Sequence, residues 1–243
     1  MNKQIIINSD DFGLTRGVNY GILDAFLNNS ISATSLMVNT PATKHAVALM
    51  NKYNLPVGIH VNITLGKPVS NPQDIPSLLN EDGCFHGNNY YLEGNRVNQD
   101  ELINEFDQQI QLFIKLTGKE PDHINYHHIY DFYNEYPKLF EFLINKYHKP
   151  MRLEAVVNNY PYQYVKKEDL FMNFENKPLQ DYLVANIIEV PCHIGYVDHE
   201  LMEISSLNMQ RVEDSYLANS KEFKELYTKL GYKLTGWKEV KIK

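Results

Sequence analysis

The sequence predicts an α/β fold, a single-domain TIM-like β/α barrel spanning residues 1–243. Three observations predict it. Short runs of Ile, Val and Leu alternate with stretches whose apolar residues recur at helical spacing, the pattern of a mainly parallel sheet. The 243 residues match the ~250 of one such barrel. The ionisable residues that could do chemistry fall at the ends of the apolar runs, where a β/α barrel gathers its strand ends into one mouth.

Taken in order, residues 4–8 (QIIIN) open the sheet, and Val18, Ile22, Ala25 and Phe26 then share one helical face. Residues 34–38 form the second strand. Thr40 reads as the cap, and Pro41 as the first residue, of a helix that buries Ala46, Leu49, Met50 and Tyr53. Residues 57–63 are the third strand. Residues 66–96, rich in Pro, Asn, Gly and Asp, break the alternation; a long irregular segment in a compact domain is a functional lid or an interface loop, so it is read as an excursion from the barrel. The strongest helix covers about residues 99–116, with Leu102, Phe106, Ile110 and Phe113 inside, Asn98 and Glu101 as a capping box, and Gly118 then Pro121 as the stop. Strands follow at 123–126, 151–155 and 187–192. Pro137 opens a helix through Tyr147, and Ser220 caps one carrying Phe223, Leu226, Tyr227 and Leu230.

Composition excludes several classes. Lys+Arg total 23 against 30 Asp+Glu, with no long basic run, which excludes nucleic acid as a partner. No stretch approaches the ~20 apolar residues of a membrane span, and the apolar run near the start is too short for a signal peptide. Cys84 and Cys192 form no metal-ligand pair and no disulfide framework, as in a reducing compartment, and the expected location is the cytoplasm. The 17 Tyr and 11 Phe serve the core first; Phe12, Tyr90, Tyr91 and Trp237 could also stack on sugar rings, with packing as the default. His45, His86, His148 and His199 read as surface residues.

The candidate site is a set of strand ends. Asp10 and Asp11 follow IIINS, His60 lies in VGIHVNI, His127 and His128 follow HINY, Arg152 lies in MRLEA, and His193 follows IIEVPC. Taken singly, an Asp pair is usually a turn, a lone His a hydrogen-bonded core residue, and Arg152 the partner of Glu154 or Glu189. Together at matching positions they suit a metal site. One carboxylate and two imidazoles (Asp11, His60, His127) leave positions open for water and substrate. The same donors serve non-haem Fe(II) oxygenases. A spare carboxylate, Asp10, and a spare imidazole, His193, favour hydrolysis, because they provide a base for water and an acid for the leaving group.

The segments NSDDFG, GVNYGI, SATSLMVNTP, VGIHVNIT, PSLLNEDGCF, LTGKEPDHINYHH, CHIGYVD and SSLNMQR resemble, in order, those of the YdjC-like carbohydrate deacetylases, themselves related in mechanism to NodB-type polysaccharide deacetylases. The resemblance implies a distorted barrel, one divalent metal ion (Mg2+ or Zn2+), and removal of N-acetyl groups from amino sugars such as chitin-derived oligosaccharides or their phosphorylated forms. It places the metal ligands on Asp11, His60 and His127, the general base on Asp10, the general acid on His193 and an orienting arginine on Arg152. His123, Asn125, His128 and Phe12 are candidates for substrate contact or for support behind the ligands. Asn125, Ile129 and Ile194 depart from the family's Asp, His and Pro. A sugar-binding or regulatory protein on the same scaffold is the alternative they motivate. The apolar residues of 66–96, the frequency of two-fold dimers and the resemblance together predict a homodimer.

Overall fold

The computed structural model describes residues 3–128, 132–152, 162–165 and 185–240. Its frame is a curled sheet whose strands, among the described residues, all pair in parallel: β1 (Lys3–Phe12), β2 (Ala33–Leu36), β3 (Val57–Val61), β4 (Ile124–Tyr126), β5 (Tyr162–Tyr164), β6 (Ile187–Cys192) and β7 (Tyr232–Leu234). The order is β4-β3-β2-β1-β6-β5, with β7 added beside the start of β1. Between them run α1 (Arg16–Leu27), α2 (Thr43–Tyr53), α3 (Asn88–Leu92), α4 (Gln99–Thr117), α5 (Phe132–Glu135), α6 (Pro137–Tyr147), α7 (His199–Ile204), α8 (Met209–Asn219) and α9 (Lys221–Lys229). This is the single-domain, distorted TIM-like architecture expected. Among the described residues no helix is long and apolar enough to cross a membrane.

Helix faces follow the spacing. Leu102, Phe106, Ile110 and Phe113 of α4 are fully buried. Asn98 caps α4 through the amides of Asp100 and Glu101, and Gly118 closes it at φ 69°. The capping box is only half formed, because the Glu101 carboxylate accepts from the amide of Ser77 instead (2.7 Å). Pro137 opens α6 and Ser220 caps α9 as expected. Helix α2 starts two residues later than Thr40 and Pro41 suggested. The Thr40 hydroxyl donates to the carbonyl of Gly13 (2.7 Å), tying the end of β1 to this loop instead of capping a helix.

Three strands differ from expectation in ways that matter. Strand β1 runs four residues past Asn8, because a bulge between Ser9 and Phe12 lets Asp10 and Asp11 remain within it. Strand β3 stops at Val61, where the Asn62 side chain accepts from the amides of Thr64 and Leu65 and turns the chain out of the sheet. Of 151–155, Met151 makes an isolated bridge to Ile124, and residues 153–155 lie outside the described residues. The three-residue strands β5 and β7 carry too little periodicity to be read.

The excursion is packed. It contains two short 3₁₀ turns, a Leu79–Phe85 bridge and α3, and it buries Ile75, Leu78, Phe85 and Tyr91 on its own barrel. Trp237 is buried against His123 at the lower end of the barrel, with ring centroids 4.9 Å apart, so it stacks on no ligand. Gly58 makes room for His123: a Cβ there would lie 2.3 Å from its ring. Two histidines read as surface residues are half-buried instead: His45 Nδ1 lies 3.1 Å from Asn19 Nδ2, and His86 stacks on Tyr90 at 3.8 Å.

Candidate active site

Parallel strands bring their C-terminal ends to one side, and the register aligns the chemistry. Ser9 pairs with Cys192, which sets Asp10 beside His193, and His60 pairs with Asn125. At the bulge Asp11 takes φ 69°, a left-handed conformation costly for a residue with a Cβ. The kink puts both Asp10 and Asp11 on the cavity while Phe12 turns into the hydrophobic core. Phe12 is therefore a packing residue, fully buried, and not the substrate contact considered above.

Asp11, His60 and His127 form the one group of potential metal ligands among the described residues, their donor atoms within 4.8 Å of one another. Asp11 Oδ1 lies 3.2 Å from His60 Nε2 and 3.0 Å from His127 Nδ1. His60 Nδ1 donates to Asn125 Oδ1 (2.7 Å), which fixes the tautomer and leaves Nε2 with a lone pair. That Nε2 is buried without a hydrogen bond of acceptable geometry. Among the described residues nearby, the buried carboxylates of Asp10, Asp11, Glu189 and Asp214 outnumber the buried guanidinium groups of Arg152 and Arg211 by two charges. An orphaned ring nitrogen and a doubly negative surround fit a divalent cation.

Arg152 binds Asp10 in a fork, Nη1 to Oδ2 at 2.6 Å and Nη2 to Oδ1 at 2.8 Å, and its Nε and Nη2 reach Glu189 Oε1. Both expectations for Arg152 thus meet in one residue, for it orients Asp10 and pairs with Glu189; Glu154 lies outside the described residues. Asp10 Oδ1 also accepts from Asn8, Ser35 and Asn125, whereas Oδ2 accepts, among the described residues, from Arg152 alone and lies 4.0 Å from His193 Nε2. Burial pushes the Asp10 carboxyl up, but Arg152 and His60 outweigh it and hold the group well below the carboxylate range. Asp11 is likewise held low against burial by His127 and Arg211. Burial pushes His60 down, yet Asp10 and Asp11 draw its pKa up, and a cation at Nε2 would answer the same carboxylates.

His193 lines the cavity, and its backbone amide is held by Asp214 Oδ2 (2.6 Å). Burial lowers its pKa against the pull of Asp11 and Asp10; the side chain is 37% exposed, so water moderates that push. His128, at φ 60°, turns its ring beside His127 and bonds Thr64 Oγ1 (2.8 Å); burial and His127 push it down to about 3. His123 is buried one strand layer lower and lines no part of the cavity, kept neutral by burial and by Arg152.

Arg211 was missed. On α8, fully buried, it donates from Nη2 to Asp11 Oδ2 at 2.6 Å and leaves Oδ1 to face the two histidines. Its sequence signals are its place at the end of SSLNMQR and an Asp three residues on, Asp214, in a polar helix, and neither states that it pairs with Asp11. Asn125, in contrast, accounts for its own departure from the family pattern. It accepts from His60 and donates to Asp10 Oδ1 (3.2 Å), and an aspartate there would repel Asp10. Asn125→Leu should weaken divalent-ion binding by roughly 10–100-fold in titration calorimetry, and an unchanged affinity would remove Asn125 from the site's support.

A family model described as YdjC-like protein matches residues 4–229. The chain belongs to this family. Among its relatives, a carbohydrate deacetylase of Geobacillus stearothermophilus is 35% identical over 225 residues, 88% of each chain. A chitooligosaccharide deacetylase of Yersinia enterocolitica is 31% identical over 98% of this chain and 100% of its own. A solved structure from Enterococcus faecalis V583, named for cellobiose-phosphate cleavage, superposes with a TM-score of 0.84 at 26% identity over 98% of both chains. A peptidoglycan N-acetylglucosamine deacetylase (TM-score 0.50, 15% identity, 95% of this chain and 85% of its own) shares the fold.

Proposed function

We propose that this YdjC-like chain is a metal-dependent hydrolase that cleaves the acetamide of an N-acetylated amino sugar or chitin-type oligosaccharide, releasing acetate and a free amine. The observation that carries it is the pairing of the Asp11–His60–His127 group with an ionised, arginine-clamped Asp10 in one cavity of about 560 Å³. Its YdjC-like relatives named carbohydrate and chitooligosaccharide deacetylases support the substrate class.

Asp11, His60 and His127 would hold the ion. When bound, a divalent ion lowers the pKa of its water toward ~7 and polarises the acyl oxygen. That matters because Arg152 makes Asp10 a weak base, able to take a proton only from an acidified water. Asp10 Oδ2 receives that proton, and His193, 4.0 Å away, passes it to the leaving nitrogen once substrate closes the gap. One proton thus leaves water and arrives on the amine, and neither side chain is consumed.

The test is acetate release from N,N′-diacetylchitobiose, followed before chelation, after it, and after Mg2+ or Zn2+ is restored. Turnover should vanish with chelation and return with the ion. Full turnover in the chelated protein overturns metal dependence, and binding of the sugar without acetate release would mark a binding protein. The proposal includes a homodimer, for which Met202, Met209 and Tyr216 offer exposed apolar surface and which light scattering reads directly.

A further inference from the structure

The cavity above the aspartates and histidines has a second wall, and the excursion supplies it. Asn88 and Asn89 of α3 line it together with Ser205 and Ser206, from the loop between α7 and α8. We infer that Asn88 and Asn89 are the residues that recognise the hydroxyl groups of the sugar ring, and so set substrate specificity; this rests on the deacetylase reading above.

Two independent features carry it. The first is rigidity. The Glu105 carboxylate accepts from the amides of Val69 (3.0 Å) and Ser70 (2.9 Å), Glu101 accepts from that of Ser77, and Phe85 N donates to the carbonyl of Gly66. Tyr91, within the same short helix as the two asparagines, is buried, and its hydroxyl donates to the carbonyl of Ile63 (3.4 Å). Asn88 and Asn89 are therefore presented on a fixed element, and little ordering entropy is lost when a ligand docks.

The second feature is chemistry. Asp10 is already clamped by Arg152 and Asp11 by Arg211, so the charged groups of the floor are committed. This wall instead offers primary amides and hydroxyls. Each amide has donors and an acceptor, and each sugar hydroxyl is both donor and acceptor, so the two match without any charge. A cavity with ionic chemistry at its floor and neutral hydrogen-bonding groups on its wall can hold an acetamide below and a polyhydroxylated ring above. A site built to bond hydroxyl groups also rejects ligands that lack them.

The experiment compares wild type with Asn88→Ala, Asn89→Ala and the double variant. It reads kinetics on N,N′-diacetylchitobiose, calorimetric binding of that sugar to each chain in an Asp10→Asn background, and divalent-ion affinity. The double variant should raise KM and Kd by roughly 10–100-fold, from losing two or more neutral hydrogen bonds. Divalent-ion affinity should stay at the wild-type value, which shows that the floor is intact. KM and Kd unmoved in all three variants, or a loss confined to kcat, would overturn the inference. If wild type releases no acetate yet binds the sugar, and Asn89→Ala weakens that binding, the deacetylase reading fails while the recognition wall stands.

Discussion

Asp10→Asn should lower kcat for acetate release by about 10²–10⁴-fold, the range a positioned general base contributes, while divalent-ion content stays at the wild-type level. The substitution is nearly isosteric and does not touch Asp11, His60 or His127. It removes the basic oxygen Oδ2, which accepts from Arg152 and lies 4.0 Å from His193 Nε2. The pH profile sharpens the test. Arg152 holds Asp10 well below its ordinary value of 3.8 despite burial, so Asp10 is ionised throughout any practical assay range. An acidic limb near neutrality in the wild-type profile therefore reports a group other than Asp10, an imidazole or an ion-bound water, and Asp10→Asn should lower the whole profile without moving that limb to the carboxylate range. Turnover close to wild type, with the ion retained, would remove Asp10 from the chemistry.

How much of this was legible in the sequence depended on how local the signal was. The strand-end positions of Asp10, Asp11, His60, His127 and His193 follow from short apolar runs, and parallel pairing brings them together, so the candidate group could be read from the sequence. The bulge could not. Nothing in NSDDFG states that Asp11 sits at φ 69° and that Phe12 consequently faces the core. Arg211 was hidden because its partner Asp11 lies 200 residues away, and its own helix looks like a solvated one. The rigidity of the excursion was illegible for another reason. Its Pro, Gly and Asn content reads as irregular, which it is, but irregular backbone can be rigid when carboxylates such as Glu101 and Glu105 reach across from a neighbouring helix to bind its amides.

Arg152→Met should destabilise the fold by about 3–5 kcal/mol near pH 7, because it removes the guanidinium that two buried carboxylates share. For a chain of this size that is a fall of roughly 6–20 °C in Tm. The dependence on pH has a definite sign. In wild type, Asp10 has a depressed pKa, so its ionised form stabilises the fold above about pH 3.8, and that contribution is lost only as pH falls below it. Without Arg152, burial, the largest influence on Asp10, raises its carboxyl, so the variant's fold prefers to bind a proton that its unfolded chain binds only at lower pH. The variant should therefore regain stability relative to wild type as the pH drops from 7 toward 4, and the gap between their melting curves should narrow. Calorimetric scans across that interval decide it. A Tm within a degree or two of wild type, or a gap that stays constant with pH, would mean that Arg152 does not hold Asp10 in its charged form, and the electrostatic account of Asp10 would fall with it.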